Sequence, residues 1–174
     1  MTGNRPPPFR PVAQAIGMSR DGRLVRLVPM SASLAEAIGP GLAAIEPWAR
    51  VGYVPERMTG FLAATETGAQ RYAVLVGDEP AGTVVIRDPW LHGPYLHLIG
   101  LLPPFHGLGI GSRALDWMDA EVRGRYRNLW LCVSEFNDNA RRLYERNGFV
   151  LAGRLDSLVF DGLTELLMRK RLFG

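Results

Sequence analysis

Leu96–Arg123, LHLIGLLPPFHGLGIGSRALDWMDAEVR, is the stretch on which the reading of the chain turns. It opens with an apolar strand, passes through a glycine-rich turn and continues as an amphipathic helix. Glycines at 107, 109 and 111 leave the backbone bare of side chains where the helix begins. A helix start offers unpaired N–H groups and the positive end of the macrodipole, so this junction suits a phosphate group. The question for the rest of the chain is which phosphate-bearing molecule is meant.

The 174 residues fit one domain, long enough to bury roughly 70% of the unfolded surface. Apolar content of 47% and charged content of 21% are those of an ordinary globule. The net charge of +3, with no basic run, is too weak for nucleic acid but compatible with a small polyanion. A single cysteine, Cys132, leaves no intramolecular disulfide and no cysteine-rich zinc site. His92, His97 and His106 lack metal-ligand spacing, so no metal is expected. No apolar run is long enough to span a bilayer and no signal-peptide core is present, so a cytoplasmic protein without a membrane partner is expected.

Working outward, residues 1–21 contain GNRPPPFRP and are expected to be a flexible lead-in, with a single domain over 22–174. Arg23 to Val28 alternates as a first strand. Ser31 or Ser33 caps a short helix to Ile38, Gly39-Pro40-Gly41 breaks it, and a second segment runs from Leu42 to Trp48. Pro55 starts a helix to Ala64. Its Met58 and Phe61, with Trp48 and Tyr53, either line a pocket or pack the helical layer on a sheet. Tyr72–Val76 and Thr83–Ile86 form a hairpin. After the organising stretch come a strand at Asn128–Ser134, a helix at Asn137–Asn147 with Gly148 as its left-handed cap, and a closing hairpin to Leu172. The fold class is α/β, with a mixed sheet.

Two phosphate binders compete for the turn. Gly109-Ile110-Gly111-Ser112-Arg113-Ala114 satisfies the dinucleotide pattern G-x-G-x-x-G/A, and Glu135 follows the next strand where a ribose-binding acid belongs. Fewer than 40 residues follow Glu135, however, too few for a doubly wound sheet. Pro103, Pro104, Phe105 and His106 also intervene where that fingerprint needs an immediate tight turn. The second reading is a resemblance. Leu101 to Gly111, LLPPFHGLGIG, is similar to the acetyl-CoA-binding motif Q/R-x-x-G-x-G/A of the GNAT acyltransferase superfamily. Independently, Asn137 to Phe149, NDNARRLYERNGF, resembles that superfamily's N-x-x-A-x-x-L-Y-E-x-x-G-F segment. The resemblance extends over about residues 23–172.

What the resemblance implies is a GNAT-like acyl-CoA N-acyltransferase fold, a central mixed sheet flanked by helices. The implied reaction moves an acetyl group from acetyl-CoA, the co-substrate, to a primary amine by direct attack in a ternary complex. The pyrophosphate would rest on the backbone of His106, Gly107, Leu108, Gly109, Ile110, Gly111 and Ser112. Leu101 and Leu102 would hold the pantetheine arm by main-chain contacts, and Tyr144 would protonate the leaving thiolate as general acid. Asn137 shares a helical face with Ala140 and Tyr144, so it is either a cofactor contact or the helix N-cap. His106 stands where the family carries Arg or Gln, and Arg113 is available to supply that charge.

Glu135, His97 and His92 are the candidates for the base. Cys132 takes the position where branches acting on protein N-termini often carry glutamate; as a thiol in an apolar strand it is read as core. Trp48, Tyr53, Trp90, His92 and Tyr95 are pocket candidates. The acceptor is a small-molecule or protein amine, and a homodimer is left open. The rival function is a non-catalytic acyl-CoA-binding or regulatory domain on the same fold.

Overall fold

A computed structural model describes residues 8–172. Its frame is one sheet of eight strands in the order β1-β2-β3-β4-β5-β6-β8-β7. The strands are β1 (Gln14–Met18), β2 (Leu24–Pro29), β3 (Ala69–Val76), β4 (Glu79–Arg87), β5 (Tyr95–Leu101), β6 (Asn128–Ser134), β7 (Val150–Asp156) and β8 (Thr164–Arg171). The helices are α1 (Ala32–Ala43), α2 (Pro55–Ala63), α3 (Ile110–Val122) and α4 (Asp138–Arg146). Among the strand pairs only β5 with β6 is parallel, and α3 makes the crossover between them. The mixed sheet expected from the sequence is therefore what forms.

Period-2 alternation sends the central strands' side chains to two faces. Tyr72, Val74 and Val76 of β3, with Val84 and Ile86 of β4, pack against Ala114, Leu115 and Met118 of α3. Ala73 and Val85 point the other way and meet Ile38 and Leu42 of α1 and Met58 and Leu62 of α2. Each core is thus a sheet face closed by one helical layer.

Two expectations fail here. The flexible lead-in was expected to reach residue 21, yet β1 pairs with β2 and extends the sheet edge. Ahead of it Phe9 is only 1% exposed and stands edge-on to Trp117 with ring centroids 5.5 Å apart. The Tyr72 hydroxyl donates to the Arg10 carbonyl at 2.9 Å. Burial of a phenylalanine outweighs the disorder that the proline run suggests; the first seven residues of the lead-in lie outside the described part.

The second failure is the break at Gly39-Pro40-Gly41. Helix α1 runs through Pro40, capped by the Ser31 hydroxyl on the Leu34 N–H, and residues 44–51 form turns in place of a second helix. A proline inside a helix costs about 3 kcal/mol, but Ile38 and Leu42 flank it and are fully buried, worth roughly 1.5–3 kcal/mol each. Gly39 permits that packing, because a Cβ there would run into the backbone and side chain of Thr59 on α2.

Candidate active site

Strands β5 and β6 pair only at Tyr95↔Trp130 and Leu96↔Leu131, and then part. From His97 to Leu101 the β6-side edge of β5 has no strand partner. Leu102 donates its N–H to the Ala81 carbonyl at 2.8 Å, toward β4. By alternation the main-chain groups of Leu101 and Ile99 face the opening. Of the two leucines expected to make main-chain contacts, Leu101 is so oriented and Leu102 is not. The side chain of Leu102 instead packs on Gly41 of α1.

Beyond β5, Pro103–Phe105 make a short 3-10 turn, and α3 begins at Ile110. The His106 N–H is consumed within that turn by Pro103, and the Arg113 N–H returns to Gly109. The N–H groups from Gly107 to Ser112 lie between them and have no backbone carbonyl partner among the described residues. Gly107 and Gly109 adopt φ of 74° and 78°, the left-handed region that L side chains resist. Gly111 lets α3 approach α4, since a Cβ on it would stand 3.0 Å from Leu143. The two motifs therefore touch.

The His106 side chain does not reach toward the turn: its Nε2 pairs with the Leu101 carbonyl at 2.7 Å. Nor does Arg113 supply the charge, because its side chain lies along Gly17 of β1. The cation at the turn is Arg20, from the segment expected to be flexible. Its backbone N–H donates to Leu108 O at 2.9 Å and its Nη1 to Gly107 O at 3.0 Å. Both bonds occupy carbonyls of the turn and leave its N–H groups unengaged by the backbone.

A groove of about 320 Å³ runs from the open edge of β5 between α4, the α1–α2 loop and the β7–β8 loop. Leu101, His106, Asn137 and Tyr144 are on its wall, whereas Leu102 and the residues from Gly107 to Ser112 are not. The latter follow His106 directly in the chain. Tyr144 is 6% exposed, its hydroxyl has no hydrogen-bond partner among the described residues, and burial pushes its phenol above the ordinary range. It therefore keeps its proton at neutral pH. Asn137 is the N-cap of α4, accepting from the Ala140 N–H at 3.2 Å, while still facing the groove.

None of the three expected bases suits that task. Glu135 is held by both nitrogens of Arg154, at 2.5 and 3.1 Å, and His92 sits in an exposed loop; neither is on the groove wall. His97 is on it, but its Nδ1 accepts from Arg87 Nε at 2.9 Å, so Nε2 carries the proton. Burial first, and then Arg87 and Arg71, lower its pKa to about 4. At pH 7 it is neutral with no free lone pair.

Among the pocket candidates, Trp48, Tyr53 and Tyr95 line the groove and Trp90 does not. Cys132, expected in the core, also lines it. Burial raises its thiol, with Tyr95 hydrogen-bonded to it partly offsetting that, so it is no thiolate nucleophile.

Sequence reasoning overlooked one acid. Glu165 on β8 stands opposite Ser134 on β6, receives a 2.7 Å hydrogen bond from the Ser134 hydroxyl, and faces the groove. Only the cross-strand register brings it beside Tyr95 and Cys132. Among the described residues no group of acidic, histidine and cysteine side chains is arranged to hold a metal, and no helix is long and apolar enough to cross a membrane.

Residues 42–149, more than half of the chain, match the model of the acetyltransferase (GNAT) family. A curated relative, the 5-NmdU N-acetyltransferase of Pseudomonas phage PaMx11, is 38% identical over 68 residues, covering 39% of this chain and 46% of that protein. The chain thus spans less than half the length of that relative. Among solved structures, the ribosomal L7/L12 alpha-N-protein acetyltransferase RimL superposes with a TM-score of 0.70 over 91% of this chain and 94% of that one, at 18% identity. A GNAT family acetyltransferase from Elizabethkingia anophelis with acetyl-CoA bound gives 0.55 over 60% and 77%, at 17% identity. At those identities the two structures speak for the fold alone.

Proposed function

The chain belongs to the GNAT acetyltransferase family, and we propose that it transfers the acetyl group of acetyl-CoA to a primary amine by direct attack while both substrates are bound. The observation that carries this reading is the continuity of the groove. It joins the open edge of β5 to Tyr144, with the glycine turn immediately beyond His106. Acetyl-CoA is the family's donor, and the residues present fit it. The N–H groups from Gly107 to Ser112 receive the pyrophosphate. With the Leu101 carbonyl taken by His106, the Leu101 N–H and the Ile99 main chain serve the pantetheine arm, and one such N–H polarises the thioester carbonyl as charge builds on its oxygen. Tyr144 returns a proton to the departing thiolate.

Thiol release from acetyl-CoA over a panel of amines tests the reading. Release that depends on an added amine supports it; tight acetyl-CoA binding with no release for any amine favours a non-catalytic binding domain. Arg20 gives a graded check. Arg20→Ala removes one exposed hydrogen bond and one charge from the turn, worth on the order of 1 kcal/mol. The expected outcome is a KM for acetyl-CoA raised about fivefold, with kcat at saturation unchanged. An unaltered KM would separate Arg20 from the pyrophosphate site.

A further inference from the structure

The acceptor half of the groove has a distinct chemistry. The groove's wall includes six aromatic side chains, Trp48, Tyr53, Phe61, Tyr95, Tyr144 and Phe160, and no lysine or arginine.

 Tyr144 belongs to α4; the other five come from the α1–α2 segment, β5 and the β7–β8 loop. Tyr53 and Phe160, from two separate loops, meet edge-on with centroids 6.5 Å apart, so aromatic surface closes over this end.

Two acids face the same space. Glu46 is already paired with Arg50 at 3.0 Å. Glu165 has no cationic partner among the described residues; its one hydrogen bond comes from Ser134. The groups around it are Ser134 and Cys132 on β6 and Tyr95 on β5, with Tyr144 of α4 on the same groove wall. Of the wall's histidines, His97 accepts from Arg87 and is neutral at pH 7, and His106 is tied to the Leu101 carbonyl. A carboxylate without a cationic partner, in a groove lined by aromatic side chains, is a receptor for a cation on a flat apolar body. It is a poor host for a second anion.

We propose that the acceptor is a primary ammonium carried on a flat apolar group without carboxylate or phosphate, and that Glu165 binds this ammonium and takes the proton it loses before attack. The proposal rests on the acetyl-transfer reading above. Burial raises the Glu165 carboxyl above the usual range, the Ser134 hydrogen bond partly offsetting it, which makes its anion a better base. The protons balance. Of the three on the ammonium, one passes to Glu165 and on to solvent. The neutral nitrogen attacks the thioester carbonyl, the C–N bond forms and the C–S bond breaks. Tyr144 protonates the thiolate and is restored by the second nitrogen proton; the third stays on the amide.

The test compares wild type, Glu165→Gln and Ser134→Ala by thiol release, with 2-phenylethylamine and its carboxylated analogue phenylalanine as acceptors. For wild type, kcat/KM for the amine is expected to exceed that for the amino acid on the order of 100-fold. Glu165→Gln is expected to lose about 10²-fold in kcat at pH 7 with acetyl-CoA affinity unchanged. That deficit should shrink above the amine's own pKa, where a base is no longer needed. Ser134→Ala keeps the carboxylate but removes a donor to its charged form, so the acidic limb of the pH profile should move to higher pH.

Equal turnover of the two acceptors, a full-rate or pH-independent Glu165→Gln, or an unmoved limb in Ser134→Ala would each overturn the proposal while transfer by wild type stands. Absence of thiol release by wild type with every amine overturns the acetyl-transfer reading, and this proposal with it.

Discussion

Tyr144→Phe is expected to lower kcat by about 10²-fold, the ordinary contribution of a positioned general acid, with acetyl-CoA binding unchanged. The phenol is buried against the groove, and burial keeps it protonated at neutral pH. It has no internal acceptor among the described residues, so its proton is available to the leaving sulfur. Phenylalanine keeps the ring and its edge contact with Phe149, at 6.1 Å between centroids. Little stability should therefore be lost, and the deficit should appear in kcat rather than in the KM for acetyl-CoA. Steady-state thiol release beside isothermal titration with acetyl-CoA separates the two. A variant with full turnover and normal binding removes Tyr144 from the chemistry.

Phe9→Ala is expected to cost about 3 kcal/mol of folding stability, read as a fall in Tm of roughly 6–12 °C for a chain of this size. The side chain is fully buried among Tyr72 and Trp117, and truncation leaves a cavity that these edge-on aromatic rings cannot close. Because the same segment continues through β1 to Arg20 on the glycine turn, acetyl-CoA affinity should weaken along with stability. A loss below about 1 kcal/mol in denaturant unfolding would mean that the segment before β1 adds little to the fold.

The readable parts of this chain were those whose signal is local. Alternation located β2, a turn-rich stretch located the hairpin of β3 and β4, an apolar run located β6, and the turn before α3 and the Asn137–Phe149 segment carried the family likeness in contiguous residues. What escaped depends on partners far along the chain. Pro40 sits inside α1 because Gly39 lets α2 come close, a tertiary contact that overrides the local breaker. Gln14–Met18 shows little strand pattern and becomes one by pairing with β2. Glu165 is one acid in a closing hairpin, and only its register with Ser134 turns it toward the groove. Arg20 likewise gains its place through two carbonyls nearly ninety positions away.

The central claim is that donor and acceptor occupy one groove together and that the acetyl group passes directly between them. Initial rates of thiol release, measured while acetyl-CoA and a primary amine are varied against each other, test it most directly. Direct transfer predicts double-reciprocal lines that intersect to the left of the ordinate, and no acetyl group retained by protein incubated with acetyl-CoA alone. Parallel lines together with an acetylated Cys132, the thiol on the groove wall, would contradict the account.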